Sequence, residues 1–378
     1  MKNKKQKILI NTQILIAQHL RILKNLEYDS GLFAASNMCV TTGYEKAWIR
    51  DNFYECLAFE QLGDWDTVRR TYRALLNIFL KHEYKIDHAI ARKPMYGYEY
   101  IHPRYNPTTF DEYWEEWGNK QNDAVGAILF KLGELEGQES LSVLKNADDY
   151  RLVQKLVKYL DSIRYWEDPD NGIWENEEEI HASSIGACLA GLRKIRQNTA
   201  IYVPDHMIVE GEKALHALLP RESKKRFVDL ALLSLIYPYD IVNDREKREI
   251  LKNVEYHLVK KRGLIRYRDD FYYNKNEDKH SEEAEWTFGF SWLAIIYLKL
   301  GQPKKAEYYL QRALKTVDMQ GYIPELYYSN TDRHNENSPL GWAESLFVCA
   351  LYLLNEKHHP RFARPLDTVS PLELNHQQ

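Results

Sequence analysis

The sequence predicts an all-α protein folded as an (α/α)6 barrel, a toroid of six helical hairpins, and two observations carry that prediction. Apolar residues recur with helical periodicity along most of the chain, marking about twelve helical segments and no strand pattern longer than a few residues. The segments also alternate in kind. One set is charged along one face and the other is apolar nearly all the way round. A helix that is apolar on every side must be buried on every side, whereas an amphipathic helix covers it and turns one face to water. Strict alternation therefore implies an inner ring wrapped by an outer ring.

Taken in order, the amphipathic segments fall at about 5–25, 64–82, 148–165, 205–218, 243–260 and 302–317, and the apolar ones at 48–61, 122–135, 181–192, 228–237, 286–300 and 340–354. Capping residues mark some starts, as with Asn243 and Asp244 ahead of Arg245, and Asp205 ahead of His206. On this pattern Cys188, Ala190, Phe288, Trp292, Phe347 and Cys349 belong to the buried inner ring, and Arg69, Lys155, Lys247 and Lys304 to the exposed outer one. Consecutive antiparallel helices place every outer-to-inner connection at the same end. Most of those connections (29–47, 84–121, 166–180, 219–227, 263–285 and 318–339) are long and carry aromatic and charged clusters. Several inner-to-outer turns, such as Leu62-Gly63-Asp64 and Leu300-Gly301-Gln302, are minimal. Long loops with their own chemistry in a compact domain are usually functional. No linker interrupts the barrel, so residues 1–357 read as one domain and 358–378, with Pro360, Pro365 and Pro371, as a tail.

Composition narrows the function classes. At 378 residues with 44% hydrophobic and 28% charged residues, the chain is globular rather than disordered. A net charge of -4 gives no electrostatic basis for nucleic acid. No apolar run approaches the roughly 18 residues of a membrane span, and the stretch after the Lys2, Lys4, Lys5, Lys7 cluster is broken by Asn11, Gln13 and His19, so it reads as an amphipathic helix. Cys39, Cys56, Cys188 and Cys349 are far apart with no CxxC spacing, which suits free thiols in a reducing, cytoplasmic setting. Aromatic residues make up 13% of the chain, with 27 Tyr and 9 Trp; Tyr and Trp beyond what a core needs often line a site for flat, hydroxylated ligands such as sugars, although large cores also use them. There is no GxGxxG, GxxxxGK or GxSxG motif, and the adjacent His358 and His359 diverge without a nearby third ligand. Neither a cofactor nor a metal is expected.

Three motifs sit in the decorated loops. Glu175, in Gly172-Ile173-Trp174-Glu175, lies in a turn-rich loop ahead of an apolar helix, and a carboxyl beside an indole there is a candidate general acid. A glutamate in an acidic run is ordinarily solvated surface; the organisation of the whole chain singles this one out. Arg50 and Asp51 follow Trp48 at an inner-helix start, where two charges must pair or face a polar cavity. In residues 117–123 (WGNKQND), Trp117 and Gln121 precede another inner helix, with Asn122 or Asp123 as a possible N-cap. Glycoside hydrolysis needs two carboxyl groups across the scissile bond. Glu175 and Glu325 form that pair, the latter following Pro324 in an extended segment and suited to act as base. Asp229, Asp269, Asp270, Glu285 and Glu344 compete for these roles.

In family order, residues 44–52 (YEKAWIRDN), 117–123, 172–175, 182–186 (ASSIG), 219–221 (LPR), 228–233 (VDLALL), 266–267 (RY), 324–327 (PELY) and 338–342 (SPLGW) resemble glycoside hydrolase family 15, the glucoamylases. They are even more similar to the related N-terminal domain of phosphorylase kinase α and β subunits. The resemblance implies an (α/α)6 barrel and an inverting exo-hydrolysis that releases glucose from α-glucan or short α-gluco-oligosaccharide ends. It makes Glu175 the general acid and Glu325 the general base. The substrate-binding set it implies is Tyr44, Trp48, Arg50, Asp51, Trp117, Gln121, Asp123, Trp174, Arg266 and Trp342. Two positions depart from the hydrolase pattern. Asn176 replaces a second glutamate common in fungal glucoamylases, and Pro324-Glu325-Leu326 is the kinase-subunit form where hydrolases often have Pro-Glu-Gln. A sugar-binding regulatory protein without turnover is the alternative implied by the same resemblance.

Overall fold

The computed structural model describes residues 2–37, 40–113, 115, 118–273 and 283–358. In chain order the helices are α1 (Lys2–Lys24), α2 (Ile49–Leu62), α3 (Trp65–Lys81), α4 (Glu83–Ala91), α5 (Asn122–Glu136), α6 (Ala147–Ile163), α7 (Ala182–Asn198), α8 (Asp205–Leu218), α9 (Asp244–His257), α10 (Phe288–Lys299), α11 (Pro303–Leu314) and α12 (Gly341–His358). Two antiparallel pairs of two-residue strands, β1 (Ala47–Trp48) with β2 (Arg104–Tyr105) and β3 (Glu285–Trp286) with β4 (Leu326–Tyr327), tie connections together at one end.

The inner ring closes on itself. α2 packs on α5, α5 on α7, α7 on the segment Leu230–Leu235, that segment on α10, α10 on α12, and α12 back on α2. Outside it, α3 covers α2, α6 covers α5, α8 covers α7, α9 covers Leu230–Leu235, and α11 covers α10, while α1 lies against α12. The result is the (α/α)6 toroid. Cys188, Ala190, Phe288, Trp292, Phe347 and Cys349 are all buried in the inner ring. Cys56, Cys188 and Cys349 are free buried thiols, and Cys39 lies outside the described residues, as does the tail from 359.

The structure differs from the sequence reading in several places. The fourth inner element, Leu230–Leu235, is a short 3-10 helix and not an α-helix over 228–237. Its entry is held by the Asp229 carboxylate accepting from the Ala231 N–H, and Pro238, which has no N–H to donate, follows closely. The connection from 84 begins with a further helix, α4, which packs on α6. α5 has neither Asn122 nor Asp123 as cap: Gln121 stands at the N-cap without a side-chain bond to the helix N–H groups, and Asp123 is turned to Arg50. α8 is preceded by Pro204, and Asp205 pairs with Arg196 instead, whereas Asn243 caps α9 as expected. Of the four outer-ring cations only Lys304 is exposed. Arg69, Lys155 and Lys247 are half-buried because each lies down in an ion pair, with Asp66, with Glu83 and Asp87, and with Asp240.

Close approach of α5 and α7 depends on missing side chains. A Cβ on Gly126 would stand 2.4 Å from the Cys188 backbone nitrogen, and one on Gly191 would stand 2.5 Å from the Gly126 carbonyl oxygen. Backbone cannot yield as a flexible side chain can. Gly126→Ala is therefore expected to lower stability by about 1–3 kcal/mol through overpacking, read as a lower denaturant midpoint in chemical unfolding. An unchanged midpoint would contradict this packing.

Candidate active site

At the long-loop end a cavity of about 150 Å3 opens to the surface, lined from four of the six outer-to-inner connections and the inner-helix starts beside them. A water needs about 10–15 Å3 on this measure, so the space takes roughly ten water-sized groups, the bulk of one pyranose ring with its hydroxyls. Tyr44, Trp48, Arg50, Asp51, Trp174, Glu175, Arg266, Glu325 and Trp342 all line it. Asp51, Glu175 and Glu325 are its carboxylates. The competing acids are engaged elsewhere: Asp270 with Arg266, Asp229 with Trp174, Glu285 with the Arg262 and Asn330 N–H groups, Glu344 with His19, and Asp269 outside the lining.

Glu175 has φ +59, a left-handed conformation at the tip of a tight turn closed by Asp170–Glu179 pairing. Gly172, with φ +62, allows the turn to lie flat on His181, whose ring a Cβ would meet at 2.8 Å. The Asn171 side chain staples the turn to the neighbouring connection, accepting from the Lys120 N–H at 3.0 Å and donating to the Asn176 carbonyl at 2.6 Å. Three donors converge on Glu175 Oε1: Trp48 Nε1 at 2.9 Å, Gln121 Nε2 at 2.9 Å and Arg50 at 3.2 Å. Arg50 also donates to Gln121 Oε1 at 2.8 Å and to Asp123 at 3.1 Å. Gln121 and Asp123 thus stand behind the cavity wall and hold the groups that form it. Trp117 lies outside the described residues.

Glu325 is held by different chemistry. Oε1 accepts from the Tyr44 hydroxyl at 2.8 Å, and Oε2 from the carboxamides of Asn335 at 2.6 Å and Asn337 at 2.7 Å. Burial pushes its carboxyl above the ordinary carboxylate range, and the bonds from Asn337, Tyr44 and Asn335, which favour the anion, pull it partly back. Burial likewise pushes Asp51 up to about 7, against the adjacent Arg50, so this group can give or accept a hydrogen bond near neutrality. Behind the Glu175 turn, burial of His181 is outweighed by its Glu222 hydrogen bond and the Asp170 charge, which push it up to about 9.

The floor is aromatic. Trp342 stacks on Phe288 with centroids 4.8 Å apart and on Trp174 at 6.2 Å. The Trp174 indole is pinned by a 2.7 Å bond to Asp229. The Arg266 guanidinium sits 4.5 Å over Trp286 and 4.8 Å over Tyr272, and its Nε and one terminal nitrogen grip Asp270 at 2.6 and 2.8 Å. The sequence reading missed Trp286, Tyr272, Asn335 and Asn337. In the sequence Trp286 stands at the start of an apolar helix, and the two asparagines lie in the 318–339 connection without being singled out. Only the repetition of carboxamides at Asn335 and Asn337, shortly after Glu325, offered a signal.

An all-helical toroid with an aromatic-walled cavity at its long-loop end is a glycosidase-like fold. The family model of the glycosyl hydrolases family 15 matches residues 13–252, and the chain belongs to that family. The chain is 27% identical over 355 residues to a probable phosphorylase b kinase regulatory subunit alpha of Drosophila melanogaster, covering 79% of this chain and 27% of that protein. It thus spans under a third of the length of that relative. Among solved structures, a glycosidase variant in complex with glucose superposes with a TM-score of 0.77 at 16% identity, over 92% of this chain and 97% of that one. A glucoamylase from Saccharomycopsis fibuligera gives 0.71 at 14%, over 93% and 96%.

Removing the Asp270 carboxylate strands a buried guanidinium. Asp270→Ala is expected to cost about 3–5 kcal/mol of stability, measured by chemical denaturation, and a loss below 1 kcal/mol would show that Arg266 does not depend on this pair.

Proposed function

We propose that the protein is an inverting, exo-acting α-glucan or α-glucoside hydrolase that releases glucose. What carries the reading is that Glu175 and Glu325 line one small cavity and are held by two separate sets of donors. In the proposed reaction the terminal glucose lies on the aromatic floor, with Arg50, Asp51 and Arg266 on its hydroxyls. The transferable proton is carried by the Glu175 carboxyl. That proton passes to the glycosidic oxygen as the bond to C1 breaks. A water attacks C1 from the opposite face and gives its proton to Glu325, so the sugar leaves with inverted configuration. Such chemistry needs carboxyl groups about 6.5–9.5 Å apart, leaving room for the water. The buried free thiols support a cytoplasmic location.

A second reading is a sugar-binding regulatory protein without turnover. The match to a kinase regulatory subunit favours it. Glucose release and sugar affinity, measured together on maltose and maltotetraose, separate the two. Glu175→Gln keeps the shape of the cavity but removes the proton donor, so release should fall at least roughly 100-fold with affinity largely kept. Arg50→Ala should weaken binding itself. Equal, near-background release by the parent and Glu175→Gln would leave the regulatory reading.

The pH profile tests the base. Glu325 must be ionised to accept a proton, and its folded pKa lies above the ordinary 4.5, so the acidic limb of kcat/KM should lie above that value. Tyr44→Phe removes a bond that favours the anion, which should move the limb to still higher pH. A limb that stays in place or moves down would exclude Glu325 as the group seen.

A further inference from the structure

Glu344 is a buried acid that the proposed chemistry does not use, yet it is tied to the segment that carries Glu325. It stands on α12, and its Oε1 accepts from the Ile323 N–H at 2.7 Å. Its other carboxylate oxygen meets Nδ1 of His19 on α1, and both side chains are fully buried. We propose that His19 is a positioning residue for the base: from the outer helix α1 it fixes Glu344, and through Glu344 the segment that holds Glu325 at the pocket. The inference rests on the hydrolase reading for the role of Glu325, and on geometry alone for the strut that reaches it.

Three observations support it. First, the chain just before the base relies on a side chain for its anchor. Pro324 has no N–H to donate, the Glu325 N–H donates to the Asn337 carbonyl at 2.9 Å, and the Ile323 carbonyl accepts from the Leu340 N–H at 2.9 Å. The Ile323 N–H, two residues from the base, goes to Glu344. Second, α1 grips the same segment again one residue earlier along the helix, where Gln18 donates to the Gly321 carbonyl at 3.4 Å. Third, His19 is itself oriented. Its ring stands edge-on to Phe347 with centroids 4.8 Å apart, and Nε2 has no partner, so the ring proton belongs on Nδ1, where Glu344 accepts it. Burial raises the Glu344 carboxyl, and the His19 bond draws it back toward the anion, the form that holds an N–H more strongly. His19 is not part of the pocket lining, so what it contributes reaches the reaction through Glu344.

The test compares the full chain with His19→Leu, which removes the donor, and His19→Asn, whose carboxamide nitrogen can stand where Nδ1 stands. Circular dichroism checks the fold. Should the leucine variant not fold, His19→Gln, which places its donor at the Nε2 position instead, takes its place. Amide hydrogen exchange of the 318–327 segment should quicken roughly tenfold in the leucine variant and stay near the parent rate in the asparagine variant, with the 170–179 turn unchanged in both. Glucose release is then measured from maltose and from α-glucosyl fluoride. Fluoride leaves without the proton of Glu175, so that substrate reports on the base side of the reaction. A displaced base costs turnover, and kcat on both substrates should fall at least roughly tenfold in the leucine variant with KM little changed. The asparagine variant should keep kcat within about twofold. Unchanged exchange and kcat in the leucine variant, a loss confined to KM or to maltose, or an asparagine variant as damaged as the leucine one overturns the proposal. If the parent releases no glucose from either substrate, the hydrolase reading fails, and the exchange rates alone decide whether His19 holds the Glu325 segment.

Discussion

Burying the Arg50 guanidinium on an inner helix is the constraint from which the site follows. A charge taken out of water without partners costs several kcal/mol, and the partners here come from distant parts of the chain. Gln121 and Asp123 reach it from the entrance of α5, and Glu175 from the turn ahead of α7. Satisfying one cation therefore ties the first, second and third connections together. It also explains why Asp123 does not cap its own helix and why Gln121 can serve Arg50 with its oxygen and Glu175 with its nitrogen.

The two cavity glutamates are differentiated by what holds them. Around Glu175 the donors are an indole, a guanidinium and a carboxamide directed to one oxygen, whereas Glu325 is shared among a phenol and two carboxamides on both. A pair of acids in one cavity can take opposite roles in proton transfer only when their surroundings differ. The rest of the pocket is held by contacts of its own. Trp174 is fixed by Asp229, Arg266 by Asp270 and the rings on either side, and Trp342 by its stack on Phe288.

Much of this was legible in the sequence, for physical reasons. Helices such as α10, with no polar face, can be placed only inside a ring, and amphipathic ones such as α6 only outside it, so the toroid and its single decorated end followed from periodicity. Charges at the start of an apolar helix, Arg50 and Asp51, marked a cavity for the same reason. The misses have their own causes. Leu230–Leu235 is as apolar as its inner-ring counterparts, but Asp229 captures the Ala231 N–H and Pro238 closes the segment, so pattern alone overstates its length. Asn335 and Asn337 sit in a stretch whose composition is that of a solvated loop. Their role arises only when the chain folds back on itself, through the Tyr327–His334 bridge and the Glu325 N–H bond to the Asn337 carbonyl, and brings that loop over Glu325. The 83–91 helix was lost inside a long connection whose far end carries the more conspicuous motif.

The configuration of the sugar at the instant of release tests the central claim most directly. Proton nuclear magnetic resonance of maltotetraose mixed with the protein distinguishes the two anomers before they equilibrate. A water delivered by Glu325 opposite the bond protonated by Glu175 must give β-glucose first. Glucose appearing as the α-anomer from the start would contradict an attack across this pocket.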